Sequence, residues 1–150
     1  MATKTAPRAR GFHANFPRMP RFSRVVVILY LLFNVAIAYS LYFAPQDLDA
    51  QYKGTPPITP TREFLWASSG NLHLFLIAAT AAVLWMKNAS ERRYLLFANA
   101  GVYFLDAATQ WLYWGAHVGL EPKDLHVNAG VSAVTGALVL AAALADRPRS

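Results

Sequence analysis

Four long apolar blocks, almost free of charge, dominate this sequence. They cover about residues 25–44, 65–86, 94–118 and 126–145, and the only Asp, Glu, Lys or Arg inside them is Asp106. About 20 predominantly apolar residues form a helix long enough to cross the roughly 30 Å hydrocarbon core of a bilayer. Core helices of a soluble bundle would instead carry a polar stripe, and these blocks show none. The pattern predicts an all-α integral membrane protein, a four-helix bundle with these four blocks as its spans.

The composition agrees with a membrane protein and excludes several classes of function. Only 15% of the residues are charged, against roughly 25% in soluble proteins. The chain has no Cys, which excludes disulfides, thiolate metal sites and thiol catalysis. The net charge of +6 comes from basic residues that lie at the ends of the apolar blocks rather than within a soluble domain. We therefore expect a lipid bilayer, and no nucleic acid, as the partner of this charge.

The distribution of Lys and Arg predicts the orientation. Eleven of the fourteen lie in the tail 1–24, in the link between the second and third blocks, or in the C-terminal segment 146–150. Loops rich in Lys and Arg stay on the cytoplasmic side. The chain is thus expected to cross a bacterial inner membrane, cytoplasmic or intracytoplasmic, with both termini in the cytoplasm. Residues 25–145 form the transmembrane domain in this reading.

Polar residues recur in the half of the blocks nearest the outer face of the membrane. Asp106 is the only acid at membrane depth, where an unpaired charge costs about 2.5 to 3.5 kcal/mol. The other members of this predicted cluster are His73, His126, Asn71, Gln110 and Asn128. Asn34, near the middle of the first block, can either reach the cluster or face lipid.

Two interpretations of this cluster remain open. In the first, Asp106 accepts hydrogen bonds from His73, Asn71 or Gln110 and holds the helices in register, because polar contacts between membrane helices specify packing. In the second, His73, Asp106 and His126 form an outward-facing site for a divalent metal, a tetrapyrrole or a quinone. The sequence itself requires no cofactor, so the identity of any bound group stays open.

The spacing of small residues predicts a helix contact, and the positions of two histidines suggest a repeat. Small residues four apart in the last block, such as Ser132 and Gly136, allow close approach of two helices, and we expect that approach to occur within the chain. His73 and His126 each follow a Leu at the entrance to a block, which suggests a repeat of two helices plus two helices.

The N-terminal tail combines cations with aromatic residues. Besides lying on anionic lipid, it can dock on a neighbouring membrane subunit. The residues predicted for docking are Phe12, Phe16, Phe22, Arg18 and Arg21.

Residues 71–145 resemble a bacterial family of four-helix membrane proteins of unknown function. The family shows "N-L-x-H-L" and "D-N-W-L-H-L" entries to its second and fourth spans. The matching stretches here are "NLHL" from Asn71 and "DLHV" from Asp124, with Gly101 and Tyr103 where the family shows a spaced Gly and Tyr. The fourth-span entry lacks the family's Asn-Trp, and the first span and tail do not match. The resemblance implies the four-helix fold and paired histidines, but no activity.

No catalytic motif stands out in the sequence. It contains no HExxH, no paired-carboxylate diiron pattern and no nucleophile motif. We therefore expect a non-catalytic accessory or structural subunit of a larger membrane complex, for which a photosynthetic or respiratory assembly is an example. The alternative is the outward-facing His and Asp site.

Overall fold

The computed structural model describes residues 18–51, 57–114 and 122–147. The elements in chain order are α1 (Arg21–Phe43), α2 (Pro45–Gln51), α3 (Pro60–Trp85), α4 (Ala89–Thr109), a π-helical turn (Gln110–Trp114) and α5 (Pro122–Ala145). The all-α prediction is confirmed, since the described ranges contain helices and no strand.

Three of the long helices have the length and apolar composition of membrane spans. They are α1, α3 and residues 126–145 of α5, which correspond to the first, second and fourth predicted spans. Helix α4 is not among these three. It carries Glu91, Arg92 and Arg93 in its first turn and Asp106 near its other end, and these charges lower its mean hydropathy.

All four long helices begin four or five residues before the predicted spans. Helix α3 starts at Pro60 rather than at residue 65, and α5 at Pro122 rather than at residue 126. Helix α1 starts at Arg21 rather than at residue 25, so the predicted tail 1–24 overlaps its first turn. Helix α4 starts at Ala89 rather than at residue 94, because the Asn88 side chain caps it and accepts from the backbone N–H of Ser90 at 2.9 Å. The apolar pattern missed these first turns because each contains charged residues.

The connection from α1 to α3 is held by side-chain contacts. Pro60 opens α3, and Thr59 caps it by accepting from the backbone N–H of Arg62. Proline suits the first helical turn, where its missing N–H would have had no partner. Asp49 of α2 is buried, forms an ion pair with Arg62 at 2.8 Å, and accepts from the Trp66 indole at 3.2 Å. These bonds hold the short α2 against the start of α3.

The four long helices surround one core. Helix α1 packs against α3 and α5, and α4 packs against α5 and more lightly against α3, so that α1 and α4 face each other diagonally. Buried positions recur in steps of three and four residues along α5 and just beyond its end: Ala129, Ser132, Gly136, Val139, Ala143 and Asp146. Ala142, beside Ala143, is buried as well. This spacing is typical of the shallow crossing angles in helix bundles.

The expected close approach through small residues occurs within the chain, between α4 and α5. A Cβ atom added at Gly136 would lie 3.3 Å from the carbonyl oxygen of Ala100 and from the Phe104 ring. The two backbones come this close because Gly136 has no side chain.

A buried ion pair joins α4 to the end of α5. Arg92 donates from Nε and Nη2 to the two carboxylate oxygens of Asp146, at 2.7 and 2.8 Å. Its Nη1 donates to the carbonyl oxygens of Met86 and Lys87, which lie between α3 and α4. Both charged side chains are only 2% exposed.

This geometry corrects the prediction that Arg92 is a loop cation. Arg92 was one of the eleven basic residues used for the orientation, and instead it is enclosed by protein. One turn before Asp146, Ser23 of α1 donates to the carbonyl of Ala142 in α5 at 2.9 Å. Contacts around the ion pair therefore connect all four long helices at this end of the bundle.

We expect Asp146→Ala to lower the free energy of unfolding by about 3 to 5 kcal/mol, since it leaves a buried guanidinium without its counter-charge. Denaturant unfolding in detergent micelles, followed by circular dichroism, measures this change. Arg147→Ala is the control, because Arg147 is exposed and its Nε bonds only the carbonyl of Leu144. Equal stability of the two variants would contradict a structural role for the ion pair. The double variant Arg92→Met/Asp146→Leu should recover most of the loss.

Candidate functional site

Polar side chains meet in the middle of the bundle, on the inward faces of three helices. We call this set the central network; its members are Tyr30 and Asn34 of α1, His73 of α3, and Asn99 and Tyr103 of α4. All except the half-buried His73 are buried. Tyr30 and Asn34 are four residues apart, as are Asn99 and Tyr103, so each pair lies on one helix face.

Asn34 is the centre of this network, and its amide has a defined orientation. The amide Nδ2 donates to the carbonyl of Tyr30 one turn earlier, at 2.9 Å. The opposite atom, Oδ1, is therefore the acceptor, and it receives the Tyr103 hydroxyl at 2.9 Å. The same oxygen lies 2.9 Å from Nδ1 of His73.

This orientation assigns the tautomer of His73. Since Asn34 Oδ1 can only accept, the proton of the neutral imidazole must be on Nδ1, and Nε2 then carries the lone pair. No hydrogen bond to Nε2 occurs within the described residues. An imidazole that donates from one nitrogen and presents a lone pair on the other can act as a metal ligand.

The two tyrosines connect the diagonal pair of helices. Tyr30 donates to Asn99 Oδ1 at 3.3 Å, and Asn99 Nδ2 donates to the carbonyl of Leu95. The rings of Tyr30 and Tyr103 meet edge to face, with centroids 5.5 Å apart. Side chains thus bridge α1 and α4 across the core, where the two backbones do not approach each other.

Asp106 is exposed and lies near the C-terminal end of α4, beyond the central network. Its Oδ2 accepts from Ser132 of α5 at 2.6 Å and from Gln110, one turn along the chain, at 2.8 Å. Of the three donors predicted for Asp106, Gln110 is found in that role. The other two bond elsewhere, His73 with Asn34 and Asn71 with the Tyr42 hydroxyl at 2.6 Å.

His126 also has a partner of its own. Its ring stacks on that of Trp111, with the centroids 4.3 Å apart and the planes inclined by 27°. The predicted triad of His73, Asp106 and His126 therefore divides among three separate sets of contacts. Within residues 18–51, 57–114 and 122–147, no group of three or more His, Cys, Asp or Glu side chains is placed to hold a metal ion. Asn128, also predicted for the polar cluster, is half-buried.

The residues predicted for partner docking are described only in part. Phe12 and Phe16 lie outside the described residues. Phe22 lies in the first turn of α1 with 51% of its surface exposed, and Arg18 and Arg21 beside it are also exposed.

Sequence reasoning missed the tyrosines of the central network. It counted Tyr30 as part of an apolar span and took Tyr103 only as a point of resemblance. The four-residue spacing from Tyr30 to Asn34, repeated from Asn99 to Tyr103, was the available signal. This spacing does not show that Tyr30 pairs with Asn99 or Tyr103 with Asn34, because the partners in each pair lie 69 residues apart in the sequence.

Comparisons of the chain with family models, with curated proteins and with solved structures return no match. The resemblance to the four-helix membrane family therefore stays an expectation, and function has to be argued from the geometry described above.

Proposed function

We propose that this chain is a four-span protein of a bacterial inner membrane, with both termini in the cytoplasm. The observation that supports a fourth span is the extensive packing of α4 along α5, where the two backbones approach closely at Gly136. A helix that packs along a membrane-spanning helix must itself run through the membrane. Its one acid at depth, Asp106, accepts two hydrogen bonds, which lowers the cost of placing it there.

The orientation rests on the remaining basic residues. Without the buried Arg92, ten of the fourteen Lys and Arg residues still lie in the two terminal segments, between α3 and α4, or near the starts of α1 and α4. An up-down-up-down bundle puts these segments at the same end, which the excess of basic residues assigns to the cytoplasm.

Cysteine labelling tests this topology, because the natural chain has no Cys that would react. In intact spheroplasts, a membrane-impermeant maleimide should label Pro57→Cys and should leave Lys87→Cys and Arg147→Cys unlabelled. All three should react after detergent solubilisation, which is the control for accessibility. Labelling of Lys87→Cys but not of Arg147→Cys in spheroplasts would show that α4 and α5 do not form a pair of spans.

In that membrane the chain acts as a non-catalytic accessory or structural subunit of a larger complex. The observation that carries this proposal is the open face of α3. Only 22% of its most apolar 18-residue segment is buried, against 33% for each of the other two candidate spans. Leu65, Leu72 and Phe75 lie on this face with more than half of each side chain exposed. A helix of a neighbouring subunit would cover it.

We expect Phe75→Cys, modified with a photo-crosslinking maleimide, to capture a second membrane protein in native membranes. Val134→Cys is the matched control, because Val134 is also exposed but lies on α5. Native mass spectrometry from mild detergent should show the chain in an assembly heavier than its own 16.6 kDa. A stable monomer that crosslinks to no protein would exclude the accessory role.

A second candidate function is a ligand site on His73, which its tautomer favours. Imidazoles that ligate metals usually donate their other N–H to a hydrogen-bond acceptor, and Asn34 is such an acceptor. A quinone carbonyl would require a donor, whereas Nε2 carries a lone pair. Of the three predicted ligand classes, a metal ion or the metal of a tetrapyrrole therefore fits His73 better than a quinone.

Absorption spectra and metal analysis of protein purified in mild detergent test this site. A bound species should be present in the natural protein, lost in His73→Ala, and retained in the control His126→Ala. A colourless and metal-free natural protein would leave the central network with a structural role only.

A further inference from the structure

An apolar groove runs along the outer side of the bundle between α1 and α5. Its volume is about 410 Å³. Residues along its length include Phe22, Val25, Leu29 and Phe33 on α1, with Leu138 facing them from α5.

The wall of this groove offers a ligand no free hydrogen-bond donor and little polar surface. Tyr30 and Thr135 are its two polar residues. The Tyr30 hydroxyl donates into the core to Asn99, and the Thr135 hydroxyl donates to the carbonyl of Val131 in its own helix. A hydrocarbon chain is therefore the ligand chemistry that suits the groove.

The length of the groove matches one leaflet of a bilayer. From Phe22 to Phe33 the helix rises about 17 Å, at roughly 1.5 Å per residue. Half of the hydrocarbon core of a membrane is about 15 Å thick. An acyl chain lying in the groove would thus extend from the headgroup level at the start of α1 to near the bilayer midplane.

The headgroup end of the groove is basic. Arg21 lies one turn before Val25 on the same face of α1, and Arg18 precedes it; both are exposed. Arg147, at the end of α5, is a third exposed cation at this end. Lys and Arg near a membrane surface attract anionic lipid headgroups.

We propose that the groove binds an acyl chain of one anionic phospholipid, whose phosphate lies against Arg18 and Arg21. The inference rests on the proposed insertion of the chain in a membrane. It assigns Arg18, Arg21 and Phe22, predicted above to dock a protein partner, to a lipid instead. The apolar groove and the basic end together match the two parts of such a molecule.

Native mass spectrometry of delipidated protein, incubated with equal amounts of phosphatidylglycerol and phosphatidylcholine, tests the site. The natural chain should retain one phosphatidylglycerol several-fold more often than one phosphatidylcholine. Arg18→Gln/Arg21→Gln should remove this preference, and Leu138→Trp, which fills the groove, should lower the retention of both lipids. Lys87→Gln is the control, since Lys87 lies at the same end of the bundle but between α3 and α4, across from the groove.

Equal retention of the two lipids by the natural chain would overturn the proposal, as would an equal loss of preference in Lys87→Gln. A dimer of the natural chain that Leu138→Trp dissociates would assign the groove to a second copy and would also overturn it. The maleimide labelling experiment tests the membrane topology independently of the lipid site, so failure of one proposal can be distinguished from failure of the other. If the topology holds and no lipid preference appears, the lipid site alone fails.

Discussion

Polar groups enclosed by an apolar bundle must find their partners inside the protein, because neither lipid nor a packed core offers water to replace a missing hydrogen bond. The arrangement of this molecule follows from that constraint. Arg92 is enclosed between α4 and α5, and its guanidinium bonds both oxygens of Asp146 and two carbonyls beyond the end of α3. Any other register of α4 on α5 would separate these charges. The ion pair therefore selects one packing among the many that the smooth apolar faces would allow.

The polar interior changes in character from one end of the bundle to the other. At the Arg92 end, hydrogen bonds connect all four long helices, and the side chains of Ser23, Arg92 and Asp146 are buried. In the middle, Asn34 accepts from Tyr103 and His73 and so joins three helices through one amide oxygen. At the far end Asp106 is exposed, although it lies on the same inward stripe of α4 as Asn99 and Tyr103. Among the described residues, the polar side chains are enclosed at one end of the bundle and exposed at the other, and the half-buried His73 lies between them.

The outer surface has two distinct faces with different chemistry. The groove between α1 and α5 is narrow, apolar and basic at one end, so its features match a single amphipathic molecule. The exposed face of α3 is apolar at Leu65, Leu72 and Phe75, and such a face suits contact with another helix. This difference arises from the packing, because α1 contacts two long helices extensively whereas α3 contacts only α1 to that extent.

The helical class and the approximate positions of the long helices follow from the amino-acid sequence. Apolar length sets both, and this property depends on neighbouring residues only. The sequence also located the polar residues His73 and Asp106. It named Gln110 as one of three candidate donors to Asp106, and this donor is the one four residues away along the same helix. It misjudged Arg92, because charge at the end of an apolar block usually marks a loop. The tertiary structure alone decided that Arg92 pairs with Asp146, that Asn34 joins His73 to Tyr103, and that His126 stacks on Trp111 away from both. These pairings depend on which helices are neighbours and on how each helix is rotated about its axis. Because the apolar faces have nearly equal hydropathy, neither the neighbours nor the rotations can be derived from the apolar pattern; the contacts between polar groups decide them.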